Sequence, residues 1–316
     1  MAVFNNKEIL WIFSHPQPVT IPSYICSINT ADYMGIKKII FLQNHNAIEL
    51  VKKYKPKYII ISKVFNSNIA PLIFAAKQES IKVISIFDDW SFPDKFREKI
   101  NLPIAKNSDI IVAKTRAAAD EITKNTGIEC KVIPDPIRFK THKVFKSIQN
   151  PLNVCWFGMN INHDSIIGEL ENLDNLNLKI KLTIITNFIP ILEKKINNFK
   201  LKNIIIDLLD WTDKSYKNII NSEVVILPYP RDKIRLVKSS NRIIDSINLG
   251  RFTIISDVEQ FKEFEKFTYY GEIPEGILWL KNNLKQAIKK TKHAQEYVLQ
   301  NYSLKAISEK WLNIIK

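Results

Sequence analysis

Val224-Val225-Ile226-Leu227-Pro228-Tyr229, then a basic loop, then Lys238-Ser239-Ser240-Asn241-Arg242-Ile243-Ile244-Asp245 running to Gly250 decide how this chain is read. An apolar strand stops at a proline. After the charged loop comes a run with helical spacing that opens on two serines and an asparagine. Gly250 closes it, and Phe252-Thr253-Ile254-Ile255-Ser256 starts the next strand. A helix start carries unpaired backbone N–H groups and a partial positive charge, which makes it a seat for phosphate. Ser239 and Ser240 add hydroxyls there, and Lys238 and Arg242 add cations. Asp245 lies one turn on, along the face of Asn241 and Lys238, where its carboxylate could accept from sugar hydroxyls. A diphosphate attached to a sugar is the ligand chemistry this pattern fits.

The chain has 316 residues, long for one domain and suited to two of roughly 150. Hydrophobic residues make up 46% and charged residues 25%, as in an ordinary folded protein. A net charge of +14 favours anionic partners: nucleotides, acidic glycans, an anionic membrane face or nucleic acid. Lysine far outnumbers arginine, so compositional bias accounts for part of that charge. Cys26, Cys130 and Cys155 are odd in number and widely spaced in apolar contexts, which supports neither a disulfide framework nor a zinc site and fits a reducing cytoplasm. Ile9-Leu10-Trp11-Ile12-Phe13 is too short for a signal sequence and reads as a first strand. No apolar run approaches the ~20 residues a bilayer needs, so any membrane contact is expected to be peripheral.

Short, nearly continuous apolar runs alternate with helical periodicity throughout. Strands are expected at 9–13, 38–42, 58–62, 82–87, 109–113 and 131–133, with helices at 46–54, 69–79, 94–100 and 116–125. The polar, proline-closed stretch 138–151 reads as a linker. A second series follows, with strands at 153–157, 181–186, 203–208, 223–227 and 252–256. Its helices are expected at 165–173, 189–198, 213–221, 240–249, 276–293 and 304–315. Apolar strands alternating with helices imply parallel sheets covered on both faces. The expected fold class is therefore α/β, with two Rossmann-like doubly wound domains facing a cleft.

Only seven glycines are present. No GxGxxG follows the first strand, and neither GxxxxGK[ST] nor GxSxG occurs, which argues against dinucleotide oxidoreductases, P-loop NTPases and α/β-hydrolases. The five histidines show no metal-ligand spacing.

Asp210-Trp211-Thr212, Tyr216, Ser222 to Tyr229, Lys238 to Arg242, Asp245, Gly250 and Ile254-Ile255-Ser256 together resemble the donor half of GT-B glycosyltransferases. They are most similar to the bacterial retaining, family-4-like group with a Glu-x7-Glu donor motif. Val132-Ile133-Pro134-Asp135-Pro136-Ile137 resembles the exit from that group's first domain. Asn301-Tyr302-Ser303 and the helix bearing Trp311 resemble the tail that returns to it. The resemblance implies an N-terminal acceptor domain over 1–138, a donor domain over 151–300 and a tail helix, 301–316, packed on the first domain. It implies that Ser239, Ser240 and Asn241 bind the diphosphate, and that Lys238 and Arg242 offset its charge without a metal ion. Asp245 would match the second acidic residue and hold ribose hydroxyls. Val237 stands where the first glutamate belongs, which leaves the sugar end of the motif unfilled.

Trp211 and Tyr229 are candidates for packing around a nucleobase, and Arg231 for phosphate binding beyond a strand end. Gly158, just after the first strand of the second series, permits close approach to a phosphate. On the acceptor side, His15 follows the first strand, and Asp88 and Asp89 follow the fourth. Paired carboxylates there could take a proton from an acceptor hydroxyl, one raising the pKa of the other. The expectation is a cytoplasmic glycosyltransferase, peripheral at the inner membrane face, with no cofactor and a UDP- or GDP-sugar donor. Its acceptor would be a surface polysaccharide or lipid-linked glycan. Alternatives are a modified base in DNA, or a non-catalytic protein that only binds nucleotide sugars.

Overall fold

The computed structural model describes residues 8–13, 22–41, 45–62, 69–87, 95–212, 214–230 and 236–315. The chain divides into two compact units. One comprises Met1–Pro136, Leu236–Asn241 and Tyr302–Lys316; the other comprises Ile137–Arg235 and Arg242–Asn301.

In the first unit, β1 (Ile9–Phe13), β2 (Lys37–Ile40), β3 (Tyr58–Ser62), β4 (Lys82–Phe87), β5 (Ile110–Ala113) and β6 (Cys130–Val132) form one sheet. Its order is β2-β1-β3-β4-β5-β6, and every pairing is parallel. All of β1 and β3 is buried, which is why these strands read as continuous apolar runs. Alternate side chains face opposite layers. Leu10 and Ile12 join Leu50, Leu72, Ile104 and Ile122, from α2 (Ala47–Tyr54), α3 (Ile69–Gln78), α4 (Lys95–Lys106) and α5 (Arg116–Thr126). Ile9, Trp11 and Phe13 join Ile28 of α1 (Pro22–Tyr33) and Trp311 near the C-terminus. The Trp11 and Trp311 rings lie 5.0 Å apart, and Trp11 Nε1 donates to Ser62 Oγ at 2.8 Å. Local signals start and stop the foreseen helices. Asn46 accepts from the N–H groups of Ile48 and Glu49, and Thr115 accepts from Ala118, while Gly127 ends α5 at φ 73°. Sequence gave no warning of α1, which has no acidic first turn; packing against the C-terminal helix Leu304–Leu312 supplies what its own pattern lacks.

The second unit repeats the layering. Here β7 (Leu152–Phe157), β8 (Ile180–Thr186), β9 (Ile204–Asp210), β10 (Val224–Leu227), β11 (Phe252–Ile255) and β12 (Tyr269–Tyr270) run parallel in the order β12-β11-β10-β7-β8-β9. Counted from β7, this is the doubly wound order 3-2-1-4-5-6, whose direction of winding reverses between β7 and β10. Among its helices are α6 (His163–Ile167), α7 (Leu170–Asp174), α8 (Ile189–Ile196), α9 (Tyr216–Ile220) and α10 (Asn241–Asn248). The helix expected over 165–173 is two short ones, broken at Gly168 and Glu169. That expected over 276–293 is α11 (Ile273–Asn282) and α12 (Leu284–Tyr302). Asn283 divides them: its N–H still closes the helical bond to the Trp279 carbonyl, but its backbone leaves the helical region at φ −129°, ψ 38°.

The stretch read as a linker is part of the second unit. Phe145 enters its core, the Phe139 carbonyl accepts from Asn248, and Phe145 N donates to the Gly250 carbonyl at 3.1 Å. Gly250 has φ 72°, and a Cβ there would stand 2.5 Å from the Lys143 oxygen. The next residue fastens the crossing. Buried Arg251 donates to the carbonyls of Lys143, Ile220, Ser222 and Leu249 at 2.6–3.0 Å. Burial draws its pKa down to about 10 against the pull of Glu223, so it remains a cation at neutral pH. No helix among the described residues is long and apolar enough to cross a membrane.

Gly127 and Gly250 share a left-handed φ, but nothing lies within 4 Å of a Cβ at Gly127. Gly127→Ala should therefore cost only the backbone term, about 1–2 kcal/mol. Gly250→Ala adds overlap with the 143–144 backbone and should cost about 1–3 kcal/mol more. Urea unfolding of the two variants beside the wild type reads the difference.

Candidate functional site

The loops after β7 and β10 flank the point where the second sheet reverses its winding, the place where open α/β sheets bind ligands. Helix α10 sends Arg242 into this place. Its Nη1 donates to the Phe157 carbonyl, the last of β7, at 3.2 Å. Its guanidinium carbon lies 4.6 Å from the centre of the Tyr229 ring, just past β10, and 5.9 Å from that of Trp156. Gly158 makes room for this: a Cβ there would stand 3.0 Å from Arg242 Nη1 and 3.1 Å from the Trp156 ring. Gly158, Tyr229 and Arg242, three residues singled out from sequence, therefore form one cationic cluster.

Tyr229 is held between two neighbours. It is buried, with Arg242 against its ring and Phe261 at 4.6 Å, and its N–H donates to Ser256 Oγ. Partly exposed Trp211 stacks on Phe157 at 6.1 Å and carries the Arg138 guanidinium at 5.6 Å. Asp245 is engaged as well. Its side chain is 1% exposed, and Oδ2 takes both Nε and Nη2 of Arg138 while Oδ1 accepts the Arg138 N–H. The carboxylate holds Arg138 beneath Trp211.

Residues 236–241 group with the first unit, so α10 begins where the chain crosses from one unit to the other. Lys238, Ser239 and Ser240 are partly exposed there. Asn241 is buried and donates from Nδ2 to Asp135 Oδ2 at 2.7 Å, while Lys114 Nζ meets Asp135 Oδ1 at 2.8 Å. The lysine balances a carboxylate that would otherwise be buried unpaired. Val237, 6% exposed, belongs to the first core, and its carbonyl accepts from Thr115 Oγ1. The position where the resemblance expects a glutamate is therefore an apolar anchor.

His15, Asp88, Asp89 and Arg231 lie outside the described residues. Sequence reading missed Arg138, Asp135, Lys114 and Trp156. Asp135 had one signal, since a carboxylate inside Ile133-Pro134-Asp135-Pro136-Ile137 needs a partner. No group of three or more His, Cys, Asp or Glu side chains among the described residues could hold a metal ion.

No protein-family model and no curated protein matches the chain. Solved structures do match in fold. Anabaena HepE in complex with UDP is 12% identical, with 98% of this chain and 99% of that one covered, at a TM-score of 0.77. A Rickettsia africae glycosyltransferase is 15% identical over 98% and 97%, at 0.70. An α-glucosyltransferase in complex with UDP-glucose and DNA containing an abasic site is 14% identical over 97% and 99%, at 0.67. At such identities the likeness is one of fold. The two Rossmann-like domains with parallel sheets are those of the GT-B architecture.

Two expectations follow. Val237→Glu would put an unpaired carboxylate into the first core, so it should destabilise the protein by about 3 kcal/mol or more in chemical denaturation. Buried His163, bonded to Thr186 Oγ1 at 2.8 Å, has its pKa lowered by burial and then by Lys195, with Asp164 opposing. Its protonation is disfavoured in the folded state only. Its contribution is therefore complete above about pH 6.5 and is lost as pH falls through the depressed folded value. His163→Gln should flatten the decline of melting temperature with acidification.

Proposed function

We propose that the protein is a glycosyltransferase that moves a sugar from a nucleotide-diphosphate sugar to a hydroxyl acceptor. The observation that carries this reading is Arg242. A helix-borne cation is braced on Tyr229 and Phe157 at the winding reversal of a Rossmann-like sheet, with Gly158 clearing the approach. Likeness in fold to UDP-bound proteins supports the same ligand class. Arg242 and Lys238 offset the charge of the leaving diphosphate, a task metal ions perform elsewhere. The donor is a UDP- or GDP-sugar, and Trp211, partly exposed beside the site, is the aromatic that meets the base. Asp88 and Asp89 are the proposed acceptor-side carboxylates.

The acceptor in this reading is a growing surface polysaccharide or a lipid-linked glycan, met at the cytoplasmic membrane face. Similarity in fold to the DNA-bound α-glucosyltransferase favours a second acceptor, a modified base in DNA. A duplex-DNA mobility shift at physiological ionic strength selects the second; its absence removes it. Release of UDP or GDP from nucleotide sugars tests turnover, and tight nucleotide binding with no release would make this a binding protein only.

Arg242→Ala should weaken UDP or GDP binding by about 1–3 kcal/mol in calorimetry, the loss of a charge-assisted hydrogen bond. Unchanged affinity would remove the proposed donor site.

A further inference from the structure

The N-terminal ends of the first domain's strands carry a strip of lysines that the donor site does not use. Lys37 opens β2 and Lys82 opens β4; Lys57 immediately precedes β3; Lys52, Lys53 and Lys55 close α2. All six are exposed. Backbone pairing sets their spacing. Lys57 and Lys82 stand at the starts of the adjacent strands β3 and β4, and Lys37 opens β2, with β1 and Glu8 between it and β3. Lys82 N donates to the Lys57 carbonyl at 3.0 Å, and Lys57 N to that of Glu8 at 2.7 Å. Glu8 and Glu79 lie at the same end, which leaves a clear excess of positive charge.

Two tyrosines hold the lysines together. Lys37 and Lys53 lie 4.4 and 5.4 Å from the centre of the Tyr54 ring, and Lys57 and Lys82 lie 6.0 and 5.9 Å from that of Tyr58. Cations over ring faces are attracted to them, which gathers like charges that would otherwise spread apart. Beside the strip, large apolar side chains stand in solvent. Ile48 is 55% exposed, four residues before Lys52 and so on the same face of α2. Phe74 is 67% exposed on α3, which packs against α2.

We propose that this flank of the first domain, the strand starts together with the exposed faces of α2 and α3, docks on a bilayer bearing anionic headgroups, with the lysines at the phosphates and Ile48 and Phe74 entering the interface. Charge complementarity selects an anionic surface. The apolar pair selects lipid over duplex nucleic acid, whose base faces are stacked inside and whose phosphates offer nothing to exposed Ile and Phe. Tyr58 is buried, and lysines stand over both tyrosine rings, so neither is an open platform for base stacking. The surface shares no residue with the proposed donor site, and its occupancy does not depend on which reaction the protein catalyses.

Co-sedimentation with phosphatidylcholine vesicles, with and without 30 mol% phosphatidylglycerol, tests it on the full chain at about 0.1 M salt. The wild type should partition onto the anionic vesicles only, and high salt should release it. Lys52→Glu/Lys53→Glu/Lys57→Glu should lower partitioning by roughly tenfold or more. Ile48→Ser/Phe74→Ser should lower it several-fold with every charge intact. Melting temperature and UDP affinity, measured on the same preparations, separate loss of docking from misfolding or from failure of the donor site. No wild-type binding to anionic vesicles, undiminished binding by the triple-charge variant, or tighter wild-type binding to duplex DNA than to vesicles at equal salt would each overturn the proposal.

Discussion

The docking of the 138–145 backbone against the C-terminal end of α10 is the constraint on which the second domain depends. Gly250 supplies a left-handed turn with no side chain where the Lys143 carbonyl passes, and Arg251 gathers four carbonyls around that crossing. Left unpaired, each of those carbonyls would cost about 1–3 kcal/mol. Asn248 adds a third fastening through the Phe139 carbonyl. With its far end fixed in this way, α10 has little freedom to rotate, and Arg242 at its near end is directed to the Phe157 carbonyl and the Tyr229 ring. A turn glycine far along the helix therefore bears on where the cation of the candidate site stands.

Buried polar pairs do the finer fixing, each within one unit. In the second unit Asp245 grips Arg138, which lies against Trp211 and Phe139. In the first, Lys114 and Asn241 share Asp135. Such pairs are weak contributors to net stability, because desolvation offsets much of the attraction, but leaving one partner alone is costly. Their effect is on geometry: they allow few arrangements of the residues that lead into and out of α10. The lysine strip at the other end of the first domain works oppositely. Its charges are solvated and held loosely over tyrosines, which suits a surface that meets a diffuse anionic partner rather than a single defined ligand.

Much of the architecture was legible because it is written in local pattern. Ile9-Leu10-Trp11-Ile12-Phe13 and Val224-Val225-Ile226-Leu227 can only be satisfied by burial on both faces, which requires parallel strands between helical layers. Asn46, Thr115 and Gly127 mark helix ends through hydrogen bonds made within a few residues. Helix α1 was illegible for the converse reason: its stability comes from packing against the C-terminal helix, far away in sequence. Asn283 was likewise silent, since a single residue's departure from helical backbone angles leaves the apolar periodicity on either side intact.

At the candidate site the division falls between chemistry and employment. Sequence by itself determined that a helix following an apolar strand carries Arg242 and Asp245, that Gly158 follows β7, and that position 237 is valine rather than glutamate. Those facts follow from residue identity and period. Only the tertiary structure decided that Gly158, Tyr229 and Arg242 meet, that Asp245 is occupied by Arg138, and that Val237 is packed among the first domain's apolar side chains. The physical reason is distance along the chain. Arg138 and Asp245 are 107 residues apart, and no local periodicity records which buried charge will neutralise which.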